Sequence, residues 1–490
     1  MNCRQITTFS ADGNALQKET VIPVTREADE PSHLESGVIN LYPNLTFQTI
    51  EGFGTAMTES SAYLLSKMDA ETRRRVLEDY FGPSGNHTRF IRVPIDSCDY
   101  SLEEYAAVKD PISDPELNTF SIKRDQIYVL PALKEAIDIS VEPISVLMSP
   151  WSPPAVWKTP PEQPKNDLSV YGNTLGIQMD PVDYTKPSRC HGGSLKPEYY
   201  GSWAKYLTKY ILAYLDEGIP VTMMSLQNES IAATEWDSCV WTAQEQKTFL
   251  RDFLYPELKK AGLTGKVELF IWDHNKERVL EYSSEIIDDV TDKMVDGIAF
   301  HWYSGDHFEA VELTRQQFPG KVLMSSECCT LHPPGKAGFM GLFGGGKLPG
   351  TVDYEDAVAY AHDLIGNINA GMNRWIDWNL ILDKDGGPRH VPGGFASPVI
   401  ANDDGTYRKT LSFEYISHFA KFILPGAVRI GFSRCDAVVE VTAAKNPDGS
   451  LAVVILNSSD TDKEYAFRIK GDVIRIHIPA RTLNTFTITD

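Results

Sequence analysis

The chain has 490 residues, 42% of them hydrophobic and 23% charged, which are ordinary values for a soluble protein with a large core. Its formal net charge of −21 argues against nucleic acid or an anionic membrane surface as a partner, because both are polyanions. The seven cysteines show no C-x-x-C spacing, which excludes a zinc ribbon or thioredoxin-like motif and fits free thiols in a reducing compartment.

The opening residues, Met1 to Gln5, are polar and lead into no apolar run, and no apolar stretch is long enough to span a bilayer. The expectation is a cytoplasmic protein with no integral membrane association. Residues 1–46 contain strand-like pieces (Val21–Val24, Ile39–Leu41) and no helical period. From there to residue 420 short apolar strands alternate with amphipathic helices. Strands are expected at about 47–54, 89–95, 144–149, 222–228, 266–272, 297–303, 321–326 and 373–381. Helices are expected at Thr72–Tyr80, Ile127–Ile137, Tyr199–Asp216, Ala243–Ala261 and Tyr354–Asn369. In the fourth of these, Phe249, Phe253, Leu254 and Leu258 fall on one face. Eight strands with helices between them point to a (β/α)₈ TIM barrel over 47–420, of α/β class.

Residues 421–490 read as strands alone, at 437–441, 451–456, 465–469 and 473–478, with a turn at Asn446-Pro447-Asp448-Gly449. This is the pattern of a small β-sandwich. The strand-like N-terminal segment, 1–46, is expected to complete it, since chain termini often lie close together. Two loops rich in proline and glycine, 153–197 and 331–350, follow strand ends, where barrel enzymes build substrate pockets.

Two of the expected strands run into a glutamate. Ser225-Leu226-Gln227-Asn228-Glu229 ends the fourth and Leu323-Met324-Ser325-Ser326-Glu327 the seventh. Strand C-termini of a barrel share one rim, so both carboxyls would face one pocket. A carboxyl pair is the machinery of glycosidic bond cleavage: one donates a proton and the other attacks the anomeric carbon. Asn228 could bond a sugar 2-hydroxyl. Arg92, read as closing the second strand, could hold a carboxylate ionised. Tyr303, read as ending the sixth, could do the same, and His301 is either a ligand or a packed core histidine. Trp151 and Trp378 suit stacking on sugar rings. Asp99, just past the second strand, could accept from sugar hydroxyls or cap its loop. No cofactor is required. No metal is expected either, because Asp273-His274 and His301 with His307 lack a familiar ligand spacing. Gly344-Gly345-Gly346-Lys347 lacks the phosphate-loop spacing, and no G-x-S-x-G elbow occurs.

Several motifs, taken in order, are similar to one known family. They are Gln48-Thr49-Ile50-Glu51-Gly52-Phe53-Gly54, Ile91-Arg92-Val93-Pro94-Ile95-Asp96, Ser149-Pro150-Trp151-Ser152-Pro153-Pro154, His301-Trp302-Tyr303, Asp377-Trp378-Asn379-Leu380 and Tyr415-Ile416-Ser417-His418-Phe419. The chain resembles glycoside hydrolase family 30, in particular its glucosylceramidase-like (acid β-glucosidase-like) members. The resemblance implies the barrel with its sandwich and a retaining mechanism, with Glu229 as acid/base and Glu327 as nucleophile. It implies that Arg92, Asp99, Trp151, Asn228, Tyr303 and Trp378 line the sugar subsite. The expected substrate is a carbohydrate or glycolipid: terminal β-D-glucosyl residues of glucosides or glucosylceramide-like lipids, cleaved exo. The alternatives keep the mechanism and change the sugar (β-xylosidase, β-fucosidase, β-1,6-glucanase) or drop turnover altogether (a carbohydrate-binding protein). Ser230 stands where the family usually has proline, and the 391–395 segment is shorter than the lysosomal pattern. The polar start of the chain suits a bacterial intracellular member.

Overall fold

A computed structural model describes residues 1–11, 14–22, 27–28, 36–162, 182–330, 352–391 and 394–489. The expected loop 331–350 lies outside these residues, as does much of 153–197. Eight strands close a parallel barrel: β1 (Gly52–Ala56), β2 (Phe90–Ile95), β3 (Ser145–Pro150), β4 (Val221–Ser225), β5 (Glu268–Asn275), β6 (Gly297–His301), β7 (Val322–Glu327) and β8 (Arg374–Ile376). Neighbours follow chain order, and β8 pairs β1 in parallel to complete the ring. The strands are buried on both faces, which is why they read as continuous apolar runs rather than alternating ones. Phe90, Leu147, Met223, Phe270, Met324 and Ile376 fill the barrel interior.

Helices pack outside the strands, at Ala70–Phe81, Val129–Ile139, Tyr200–Asp216 and Val352–Ala370 among others. The expected helix 243–261 starts at a capping box, in which Thr242 accepts from the Glu245 N–H and Glu245 accepts from the Thr242 N–H. It then opens into a π turn at Leu250–Leu254 before Tyr255–Lys260. Pro256, which has no N–H to return along the helix, sits just after that turn. Four helices not expected from the sequence are also present: Glu59–Lys67, Val279–Ile286, Phe308–Gln317 and Leu411–Ala420.

The expected strand 47–54 divides in two. Val38–Ile50 pairs with Ala427–Arg434 in the second domain, and only Gly52–Ala56 enters the barrel. Gly52, at φ +137°, takes the backbone conformation that lets the chain change sheets there. The second domain is a ten-stranded sheet curled into a sandwich. Its N-terminal strand pairs with the last one, from Asn2 opposite Thr489 to Thr8 opposite Leu483. Phe467 and Phe486 lie on strands separated by four others, yet their rings meet edge-on at 5.1 Å across the core. Register shifts between Ala427–Arg434 and Val38–Ile50 bend the sheet enough to bring them together. Among the described residues no helix is long and apolar enough to cross a membrane.

The two domains meet along the helix Val352–Ala370. Its His362 lies between Glu440 of the sandwich (Nδ1 to Oε2, 2.7 Å) and Asp306 of the barrel (Nε2 to Oδ1, 3.2 Å). The Glu440 bond, aided by both charges and opposed by burial, pushes His362 up to about 9 from 6.5. A raised histidine pKa stabilises the fold fully below its unfolded value, and that contribution is lost as pH rises through the folded one. The melting temperature should therefore fall between about pH 6.5 and pH 9, and His362→Gln should flatten that slope. Thermal scans across the window check this; a variant with the parent's slope would contradict it.

Candidate active site

The C-terminal rim of the barrel brings four of its strands to one buried arginine. Arg92 lies third in β2, inside the barrel rather than at the strand end, and is fully buried. Its Nη1 donates to Glu327 Oε2. Its Nη2 donates to Asn228 Oδ1 at 2.7 Å and Asp273 Oδ2 at 2.9 Å, and its Nε to Ser149 Oγ at 3.1 Å. The Trp151 and Trp378 rings stack at 5.2 Å, and the guanidinium lies 4.8 Å and 5.5 Å from them. One planar cation therefore fixes two carboxylates, an amide and two indoles.

Glu327 ends β7 as the sequence indicated. Its second oxygen, Oε1, accepts from the Tyr303 hydroxyl at 2.9 Å, and Cys329 Sγ flanks that hydroxyl at 3.1 Å. Tyr303 lies two residues past the end of β6 rather than within it, where its N–H donates to Asn275 Oδ1 at 2.9 Å.

Glu229 does not end a strand. β4 stops at Ser225, and Glu229 sits four residues on in a turn, at φ +49°. The neighbouring strands redirect the chain: the Asn228 N–H donates to Pro150 O at 2.8 Å and the Glu229 N–H to Asp273 O at 2.7 Å. Positive φ at a non-glycine residue is strained and persists only where such bonds hold it. Ser230 holds the exit from the turn, donating to Trp272 O at 2.7 Å and accepting from Gln246 Nε2 at 3.0 Å. A hydroxyl thus does work there that a proline could not.

Behind the two glutamates lies a network that sequence reasoning missed. Asp273 accepts from Ser225 and Ser326 at 2.5 Å each, besides Arg92. It also faces His301 Nε2 at 3.1 Å, while His301 Nδ1 is 3.4 Å from Glu229 Oε1. His274 Nδ1 is 3.8 Å from the same oxygen. The signal was present in the sequence: the apolar run Phe270-Ile271-Trp272 ends in three polar residues, Asp273-His274-Asn275, much as β7 ends in Glu327.

Burial penalises Asp273 as an anion, but Arg92, then His301 and Ser225, outweigh it and hold its carboxyl well below the usual range. Burial also opposes a charge on His301, yet Glu327 and the bonds to Asp273 and Glu229 push the imidazole up to about 9. The two glutamates titrate as a pair. Burial lifts Glu327 above its usual range, against His301 and Arg92, and the Glu229 charge adds to the rise. Burial acts on Glu229 too, but His301, His274 and Arg92 offset it and keep that carboxyl low.

Arg92 is the counter-ion for this set. Arg92→Met leaves Asp273 and Glu327 buried without their cation and should destabilise the fold by ~3–5 kcal/mol. Denaturant unfolding measures the change; a loss under about 1 kcal/mol would mean that the ion pairs contribute as little as surface ones.

Asp99 follows β2 and is 3% exposed, with no hydrogen bond or ion pair to any described residue. Burial raises it to about 7, with Arg389 and His390 opposing and the two glutamates adding. Tyr100 stands beside it, edge-on to Trp378 and 6.0 Å from Phe395. The aromatic wall is completed by Trp151 and the partly buried Trp236. The eight residues expected to form the site, and His301 with them, thus fall at this end of the barrel.

Residues 50–423 match the profile of the glycosyl hydrolase family 30 TIM-barrel domain, and residues 426–486 that of the family 30 beta sandwich domain. The chain belongs to glycoside hydrolase family 30. Among similar proteins, the lysosomal acid glucosylceramidase of Mus musculus is 28% identical over 446 residues, covering 87% of this chain and 78% of the mouse protein. The crystal structure of SrfJ from Salmonella typhimurium superposes with a TM-score of 0.86 at 28% identity, covering all of both chains. A solved endo-β1,6-glucanase superposes at 0.79 and 26% identity, covering 99% of each. As a family 30 member the protein is a glycoside hydrolase, and its substrate is a carbohydrate.

Proposed function

We propose that the protein is a retaining, exo-acting β-glucosidase that releases terminal β-D-glucosyl residues from glucosides or glucosylceramide-like glycolipids. Glu327 is the nucleophile and Glu229 the acid/base. The observation that carries the role assignment is the unequal set of donors: both Glu327 oxygens accept hydrogen bonds, from Arg92 and Tyr303, whereas Glu229 faces only histidine. Carboxylate-favouring donors suit the group that attacks as an anion.

Glu229 must carry a proton to act as the acid, and a bound sugar, by excluding water, favours its neutral form. Protonating Glu229 removes its repulsion of Glu327, while Arg92 and a still-charged His301 go on favouring the Glu327 anion for attack. Glu327 displaces the aglycone as Glu229 protonates the leaving oxygen. Glu229, now a base, then activates the water that frees the sugar. Asn228 Oδ1 is already bonded to Arg92, so its amide N–H is left to meet the 2-hydroxyl.

Asp99 supports the exo reading. A buried carboxylate with no partner among the described residues can accept the hydroxyls of a terminal sugar. The relatives named as a glucosylceramidase and a β1,6-glucanase both point to a glucosyl unit. A panel of nitrophenyl β-glycosides tests the sugar, with the glucoside expected to show the highest kcat/KM. Product analysis on β-1,6-linked gluco-oligosaccharides and on glucosylceramide tests the action. Release of free glucose alone fits this reading, and internal cleavage of the oligosaccharides would replace it with the glucanase one.

A further inference from the structure

The pocket contains one group that the proposed reaction does not use. His274, on β5, is 8% exposed, and its Nδ1 makes no hydrogen bond among the described residues. That nitrogen lies 3.8 Å from Glu229 Oε1, and His301 Nδ1 lies 3.4 Å from the same oxygen. Ligand atoms of Glu229, His274 and His301 all fall within 4.8 Å of one another. A tetrahedral ion with bonds of about 2.0–2.2 Å spans ligand pairs roughly 3.3–3.6 Å apart; the Glu229–His301 pair already meets that span at 3.4 Å, and His274 must draw in towards it.

The chemistry of the set is specific. Two imidazoles and one carboxylate form a zinc-type donor set, whose fourth position a water would fill. His301 Nε2 faces Asp273 Oδ1 at 3.1 Å, which is the carboxylate backing that orients metal-bound histidines. Three carboxylates, Glu229, Glu327 and Asp273, stand against two cations, Arg92 and a charged His301, so a metal cation that displaces the His301 proton meets a net negative pocket. We propose that Glu229, His274 and His301 reversibly bind a divalent transition cation of the Zn²⁺ class, and that this cation inhibits the enzyme. Binding releases the Nδ1 proton of His301 to solvent. It also occupies Glu229 Oε1, which removes that carboxyl from proton transfer. Mg²⁺, which prefers oxygen ligands and holds its water tightly, does not compete.

The inhibition rests on Glu229 being the proton donor proposed above; the binding does not. A second group of potential ligands, Cys190, Asp237 and His390, also lies within 4.8 Å. There Arg189 Nε donates to Asp237 at 2.8 Å, placing a fixed cation against the would-be ligand. That group therefore serves as the control. The test is calorimetric titration of Zn²⁺ into the metal-stripped full chain, run beside aryl glucoside hydrolysis with Mg²⁺ for comparison. The expected result is inhibition by Zn²⁺ alone, reversed by EDTA. Binding should be at least about tenfold weaker in His274→Gln and unchanged in Cys190→Ser. Should His274→Gln fail to fold, the Co²⁺ spectrum of the unaltered chain decides: tetrahedral bands without a thiolate charge-transfer band support the site. No Zn²⁺ binding, binding that survives His274→Gln, or a thiolate band overturns it. A chain that binds Zn²⁺ at these residues but never turns over a glycoside would instead refute the proposed function and leave the cation site standing.

Discussion

Replacing Glu327 with glutamine should lower kcat on an aryl β-glucoside by ~10³-fold or more, as expected when an attacking group is lost. The amide matches the carboxylate in shape but cannot form the glycosyl-enzyme. Its surroundings stay in place, because Arg92 keeps Asp273 at 2.9 Å and Asn228 at 2.7 Å, and Tyr303 retains Cys329 Sγ at 3.1 Å. The variant should therefore fold and bind sugar with a KM near the parent's. Steady-state kinetics with a thermal scan separate loss of chemistry from loss of fold. A folded variant within about tenfold of the parent's kcat would remove Glu327 from the mechanism.

Glu229→Gln should show a different signature, a loss that depends on the leaving group. General acid catalysis contributes ~10²–10⁴-fold, and a poor leaving group needs all of it. An alkyl glucoside should thus lose activity by about that factor. A dinitrophenyl glucoside, which departs without a proton, should lose far less in the first step and accumulate glycosyl-enzyme, because the base for the second step is also missing. A burst of dinitrophenolate followed by a slow steady rate is the expected trace. Equal losses on both substrates would assign Glu229 a structural role instead.

The parts of this molecule that could be read from its sequence are those where local pattern and tertiary position agree. The barrel strands are buried on both faces, so each appears as an apolar run, and their number and order alone imply a closed ring. Glu327 was legible because it continues its strand to the last residue. Glu229 was legible in kind but not in setting. Its turn at φ +49° depends on the carbonyls of Pro150 and Asp273, which come from two other strands. Asp273 and His274 were weighed in the sequence only as metal ligands, and their place behind the glutamates went unread for a related reason. Their importance lies in closure of the barrel, which brings β5 beside β2, β4, β6 and β7 partners through side chains distant in the chain. Spacing along the sequence carries no trace of that convergence. The strand 47–54 was misread because one strand-like stretch serves two sheets, and only Gly52 marks the change.

The pairing of roles between the glutamates is the central claim, and azide rescue tests it most directly. Glu327→Ala and Glu229→Ala, each supplied with dinitrophenyl β-D-glucoside and sodium azide, admit the small anion into the space of the missing carboxyl. Without its nucleophile the enzyme offers azide the face opposite the leaving group. Without its acid/base it still forms the glycosyl-enzyme, which azide then opens from the other side. The anomeric proton signal in the NMR spectrum of each product reads the outcome. The account predicts α-glucosyl azide from Glu327→Ala and β-glucosyl azide from Glu229→Ala; the opposite pairing would contradict it.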